Sequence, residues 1–219
     1  MQWSHEGPEP ARAGAPGHAG QQARGSSDDR GQAVLFVTNV LNGTVAANGK
    51  VAFGGTVVRL IIRIPQFGLP FIWFHATIGS GFPERTDPAA LVVGPTGVGL
   101  GRNDVLYVAD TVGNRIAAIP DALFRSFSAG TGFTVTRGHH LNSPLGLVIA
   151  PGGDILTVNA GDGNLVETTP FGAQVAVRQL DSSGSPPGSG ALFGLAVKPH
   201  HDAVYYVDDA TNTLNLLHH

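Results

Sequence analysis

The 219-residue chain has no cysteine. Disulfide cross-links and thiolate metal ligands are therefore excluded, and packing and hydrogen bonds must hold the fold. Charge is scarce as well. Asp, Glu, Lys and Arg make up 13% of the residues, about half the ~25% of an ordinary globular domain. The net charge of -3 leaves no basic excess for nucleic acid or anionic lipid, so neither partner is expected. Long apolar runs are missing too. The longest uncharged stretch, IPQFGLPFIWFHATIGSGFP at 64–83, is interrupted by Pro65, Pro70 and four other helix-weakening residues, Gly68, Gly79, Ser80 and Gly81. A spanning helix needs about 20 mostly apolar residues, so this stretch reads as strand and turn rather than membrane. Residues 1–31 hold almost no large apolar side chains. They have no apolar core of a signal peptide and read as a disordered Gly/Pro/Ala/Arg-rich tail.

What the chain does have is glycine (31) and proline (15), set among short valine-rich runs. That mixture suits a turn-rich β protein. One pattern recurs. VLYVADTVGNRIAAI at 105–119 is echoed by ILTVNAGDGNLVETTP at 155–170, VYYVDDATNTLNLL at 204–217 and VLFVTNVLNGTV at 34–45. Aligned on the valine before the polar middle, the anchors are Val37, Val108, Val158 and Val207. The last three are spaced by about 50 residues, the period of a propeller blade. Each of these three is preceded by a Gly-centred apolar piece, around Gly97 or Gly99, Gly146 and Gly194, and by a tight turn. Each unit thus predicts a strand, a turn, a second strand, a polar turn and a third strand. Segments 55–64, 132–137 and 173–180 are left as outer strands, and Asn42-Gly43 as the hairpin turn of the first unit. The fold class is all-β: a β-propeller of four-stranded antiparallel blades, in which blades stack to bury faces that none buries alone.

The stretches 97–119 and 144–166 resemble NHL repeats, with Asp110, Asn114 and Arg115 matching that family's strand-end and turn residues. The resemblance covers about 32–219. It implies a propeller of the six-bladed type, of which four units are visible here, so the chain reads as the C-terminal portion of a longer propeller. A closed four-blade ring is the rival reading. No strand that completes the last blade is expected from residues 1–31. The family includes binding scaffolds as well as lyases and hydrolases. The expected function is a non-enzymatic binding or scaffold module for a protein or small-molecule ligand, the alternative being a propeller hydrolase or lyase with its site at the channel mouth. The resemblance also implies an extracellular or cell-envelope protein. An exposed blade face would favour self-association.

In an up-and-down sheet, alternate turns lie on opposite faces. Loops leading into each new blade and the second polar turns share one face. That face collects Glu84, Arg85, Asp87, His139, His140 and Asn142, the expected ligand-binding residues. Asp110, Asn159 and Asp208 end the second strands there. They are the candidate ligands for a divalent cation, since hard cations take oxygen ligands. The same residue types also satisfy turn backbone, which is their commoner role. His200-His201 fall on the opposite face from His139-His140, so the two pairs cannot share a metal. GPTGVGLG at 94–101 lacks the Lys-Ser/Thr of a phosphate-binding loop, and neither G-x-S-x-G nor H-E-x-x-H occurs. No catalytic residue and no organic cofactor are assigned.

Overall fold

The computed structural model describes residues 4–6, 31–87, 91–198 and 203–218. Its strands are β1 (Ser4–Glu6), β2 (Gly31–Asn39), β3 (Ala52–Ile64), β4 (Phe71–Asp87), β5 (Leu91–Val93), β6 (Pro95–Leu100), β7 (Leu106–Asp110), β8 (Arg115–Ile119) and β9 (Phe133–Arg137). There follow β10 (Pro144–Ile149), β11 (Ile155–Asn159), β12 (Asn164–Thr168), β13 (Gln174–Gln179), β14 (Leu192–Val197), β15 (Ala203–Asp208) and β16 (Thr213–His218). One short α-helix, α1 (Thr44–Ala47), lies between β2 and β3. The strands form four antiparallel sheets, ordered β2-β3-β4-β5, β6-β7-β8-β9, β10-β11-β12-β13 and β14-β15-β16-β1. They stand in a ring, a four-blade β-propeller.

The three later sheets follow the expected strands and turns. In β7 and β11 all five residues are buried, because these blades are covered on both faces. The outer strand β13, with one face in water, alternates half-buried and exposed side chains. Turn chemistry closes the second hairpin of each blade. Asn114 and Asn212 take positive φ, and Gly163 does so in the third blade. The Gly-centred pieces are explained by the packing of the inner strands. A Cβ on Gly97 would lie 2.5 Å from the Leu145 carbonyl oxygen, and one on Gly146 would overlap the Phe193 carbonyl oxygen. Strands β6, β10 and β14 therefore abut backbone to backbone, equivalent residue beside equivalent residue.

Three apolar cores lie between successive sheets. Val57, Ile78 and Phe82 meet Leu106, Val108 and Ile119. Tyr107, Ala109 and Ile116 meet Leu147, Ile155 and Val166. Leu156, Val158 and Leu165 meet Leu192, Val204, Tyr206 and Leu217. Among the described residues no such cluster joins the fourth sheet to the first, and Gly194 meets only its own sheet's Val207.

Two expectations are corrected here. The first sheet is not a repeat of the others. Val37 lies on the first strand of its sheet and is 43% exposed, whereas Val108, Val158 and Val207 lie on second strands. The Thr38 hydroxyl donates to the Thr96 carbonyl, and Val40 approaches Gly94. The end of β2 thus meets the start of β6, so β2 runs antiparallel to the inner strands β6, β10 and β14. Residues 55–64 belong to the second strand of this sheet rather than to an outer one, and Asn42-Gly43 opens a longer connection carrying α1. The second correction concerns the N-terminus. Ser4, His5 and Glu6 pair with His218, Leu217 and Leu216, completing the fourth blade. A fourth strand is added through the backbone ladder alone, which needs free N–H and C=O groups rather than apolar side chains. The tail expected over 1–31 otherwise falls outside the described residues up to Gly31, which opens β2.

Candidate functional site

A cavity of about 480 Å³ opens where the inner strands converge. Its walls are Val92 and Val93 of β5, Thr96 to Val98 of β6, Leu145 to Leu147 of β10 and Phe193 to Leu195 of β14. Thr96 supplies the one polar side chain on these walls. Its hydroxyl lies 2.8 Å from the Leu145 carbonyl oxygen and 3.0 Å from the Thr111 hydroxyl, which itself donates to the Pro144 carbonyl at 2.7 Å. The cavity is an apolar receptacle. Acid-base or electrostatic chemistry must come from its rim.

Glu84 is not one of these wall residues; it lies on β4, which pairs with the wall strand β5. The segment 81–88, expected as a loop, is the end of strand β4 as far as Asp87. Arg85 pairs with Val93 and Thr86 with Val92, so Glu84 is beside the strand that walls the cavity. On its other side Glu84 pairs with Ala52 of β3. Its side chain is 0% exposed, and neither carboxyl oxygen has a hydrogen-bond partner. Burial without compensation disfavours the charged form and raises the pKa above the ordinary Glu range. The cover is the connection 40–51. Helix α1 packs against β4, and the Asn42 amide donates to the Gly54 carbonyl at 2.9 Å. A Cβ on Gly54 would lie 2.7 Å from Glu84 Oε1 and would collide with the Asn42 carbonyl oxygen. The Asn42 carbonyl and the Glu84 carboxyl therefore pack directly against the backbone of residue 54, which only glycine permits. Thr44, on α1, is also fully buried with an unpartnered hydroxyl.

The remaining candidates do not converge on Glu84. Arg85 pairs with Asp87 at 2.9 Å, with the arginine 41% exposed. His139 and His140 are exposed on the connection between β9 and β10. The His140 N–H donates to Gln174 Oε1, and its carbonyl accepts from Asn159 Nδ2 at 2.7 Å. Asn142 is exposed, and its amide lies over Gly161, with its carbonyl accepting from the Gly161 N–H. His200 and His201 lie outside the described residues.

Of the expected cation ligands, Asp110 and Asp208 are engaged within their own blades, while Asn159 is engaged through its Nδ2 and its buried Oδ1 has no partner. Asp110 accepts from the Gly113 N–H at 2.9 Å and from Arg115 Nε at 2.8 Å. Asn159 donates to Asp162 at 3.0 Å. Asp208 accepts from the Thr211 N–H at 3.2 Å. Three turns, one per blade, use them as local hydrogen-bond partners, and they do not form a common site. Among the described residues no group of three or more His, Asp or Glu could hold a metal.

Sequence reasoning missed two features. Asn114, read as a turn residue, also spans two blades: its amide donates to the Leu141 carbonyl at 3.0 Å and its oxygen accepts from the Ser143 N–H at 2.9 Å. The Asn42–Gly54–Glu84 corner was missed because its members are far apart in sequence. The one available signal was Glu84 itself, already chosen from the sequence, at the end of the uncharged stretch 64–83.

No family model matches the chain, and no curated protein matches it. Similarity to solved structures is found in the fold. A luciferin-regenerating enzyme aligns with a TM-score of 0.54 at 11% identity, over 86% of this chain and 60% of that one. Streptogramin B lyase aligns with a TM-score of 0.48 at 11% identity, over 77% and 64%. A gluconolactonase from Xanthomonas campestris aligns with a TM-score of 0.46 at 14% identity, over 77% and 55%. The chain spans a little over half the length of these proteins. The one of these with a TM-score above 0.5 is named as an enzyme, and this counts against the expectation of a non-enzymatic scaffold. What this likeness establishes for the chain is the β-propeller architecture.

Proposed function

We propose that the chain is a propeller hydrolase or lyase, or the part of one that carries its site, with the reaction at the mouth of the central cavity beside Glu84. The observation that carries this reading is the Glu84 carboxyl itself. It is sealed from water, has no partner, and stands next to the strand that walls a cavity of about 480 Å³. Leaving such a group unsatisfied costs stability, and groups kept at that cost cluster at functional sites. A carboxyl whose pKa is raised by burial favours its protonated form, the form a general acid uses. The walls accept an apolar or neutral substrate body, because the one polar side chain among them is already hydrogen-bonded. The propeller enzymes sharing the fold support the class. Asp110, Asn114 and Arg115 support NHL-type repeats in the later blades.

A panel of lactones, cyclic esters and linear esters, assayed for hydrolysis and for elimination, tests the reading. Turnover of one class is expected, with loss in Glu84→Ala and in Val92→Trp, whose indole would fill the cavity. Turnover unaffected by both substitutions, in variants whose circular dichroism matches the wild type, would overturn it.

A further inference from the structure

We infer that the hairpin joining β3 to β4 docks the chain on a lipid bilayer with anionic headgroups, its tip entering the surface without spanning it. The hairpin lies at the opposite end of β4 from Glu84, and its role does not depend on that carboxyl.

Strands β3 and β4 run 13 and 17 residues where β7 and β8 run five, so the hairpin extends beyond the neighbouring blade. Its large apolar side chains stand in water. Phe67 and Leu69 at the tip are 84% and 85% exposed, and Phe71, Ile72, Trp73 and Phe74 behind them are 41–58% exposed. Both faces contribute. Phe71 stands opposite Arg63 and Phe74 opposite Ile61 on one face, and Ile72 stands opposite Ile62 on the other. A second copy of the chain would cover one face or one edge, whereas a bilayer surface closes around the tip and both faces. Pro65 and Pro70 bound the tip and bring no backbone N–H, so the entering segment has fewer donors for lipid to leave unpaired. Behind the tip the Arg63 guanidinium lies 3.7 Å from the centre of the Trp73 ring. Indole and guanidinium are the groups that settle at headgroup level, the arginine stem lying along apolar surface. Leu69 precedes Trp73 by at most about 13 Å of extended chain. That takes the tip to the acyl boundary, about 5–10 Å deep, with the indole still among headgroups. Charge selects the headgroup. The sequence from Val51 to Pro83 has two arginines and no Asp or Glu, so the net charge of -3 is carried elsewhere in the chain. Arg59 is buried against the Ala122 and Leu123 carbonyls, which leaves Arg63 to meet an anionic headgroup.

The test is co-sedimentation of the full chain with large unilamellar vesicles of phosphatidylcholine, alone and mixed with phosphatidylserine. It is paired with the fluorescence of Trp3→Phe, in which Trp73 is the sole tryptophan. The wild type is expected to sediment with the mixed vesicles, and the Trp73 emission to shift to the blue and to be quenched by brominated acyl chains. Phe67→Ser with Leu69→Ser should lose roughly tenfold or more in partition, because both side chains bury on insertion. Arg63→Gln should lose roughly fivefold on the mixed vesicles and little on phosphatidylcholine alone. Phe171→Ser, 98% exposed on the turn between β12 and β13, should partition like the wild type, which separates the hairpin from general stickiness. No sedimentation of the wild type, partition indifferent to phosphatidylserine, or partition undiminished in the double variant would overturn the inference. So would an equal loss in Phe171→Ser. Self-association in light scattering that persists beside vesicles without sedimentation would also overturn it and assign the hairpin to a second copy.

Discussion

Gly146→Ala and Gly194→Ala change the same atom at equivalent places in neighbouring blades, and their stabilities should part widely. Neither glycine has a positive φ, so alanine strains neither backbone. At Gly146 the new methyl would overlap the Phe193 carbonyl oxygen and lie 3.1 Å from the Leu195 nitrogen and 3.0 Å from Val158 Cγ2. The obstacles are mainly backbone of the next inner strand, which cannot swing aside as a side chain can. Overpacking of this kind costs about 1–3 kcal/mol, and a backbone obstacle puts Gly146→Ala near the upper end. At Gly194 the nearest neighbour is a Val207 side-chain methyl at 3.5 Å, an ordinary contact. There the entropy removed from the unfolded chain should stabilise by about 0.4–1 kcal/mol. The two variants should therefore differ by about 2–4 kcal/mol, which with a urea slope of about 1–3 kcal/mol per molar separates their midpoints by about 1–2 M. Urea unfolding followed by far-ultraviolet circular dichroism measures it. Coincident midpoints, or a lower one for Gly194→Ala, would refute the abutting inner strands and the open side of the fourth blade.

Other perturbations reach different layers of the structure. Asp110→Ala strands Arg115 in a nearly solvent-free site and should cost about 3–5 kcal/mol in urea unfolding, whereas Asp110→Asn keeps an acceptor for the Gly113 N–H and should cost less. Asn114→Ala removes two hydrogen bonds between blades, each worth about 1 kcal/mol; a midpoint unchanged from wild type would contradict that bridging role. The raised Glu84 pKa gives a signed dependence on pH. Between the unfolded value of about 4.3 and the higher folded value, the folded chain binds more protons, so its stability falls as pH rises through that window and levels off above it. Melts of wild type and Glu84→Gln should diverge across that interval and run parallel on either side. Phe67 and Leu69, at 84% and 85% exposure on the tip of the β3–β4 hairpin, should drive self-association; Phe67→Ser with Leu69→Ser should raise the monomer fraction in light scattering without lowering the melting temperature.

The difference between what the sequence discloses and what it conceals follows the range of the interactions. Strands β6 to β16 are legible because each hairpin is closed by residues a few places apart. Asp110 and Asn114 close one such turn, Asn159 and Asp162 the next, and Asp208 and Asn212 the last. The regular spacing is a consequence of repeating that local solution. The first sheet escapes the same reading. VLFVTNVLNGTV copies the apolar-polar rhythm, but β2 pairs with β3 through a connection that contains a helix, and the register of β3 on β4 shifts four times. Rhythm records which side chains face a core and says nothing about strand direction, so a reversed sheet looks like a repeat. The candidate site lies in this sheet, and for that reason its chemistry is the least legible part. Glu84 and Arg85 were selected together as neighbours on one face, yet strand alternation sends them apart. Arg85 reaches Asp87 in solvent, and Glu84 turns under the connection 40–51. What makes Glu84 unusual is the missing Cβ at Gly54 and the carbonyl of Asn42, 30 and 42 residues earlier. A single glycine, Gly94, joins β5 to β6, so the irregular sheet is tied directly to the regular ones at the cavity wall. The part of the molecule that departs from the repeat thus contributes one wall of the cavity, beside three walls from the regular inner strands.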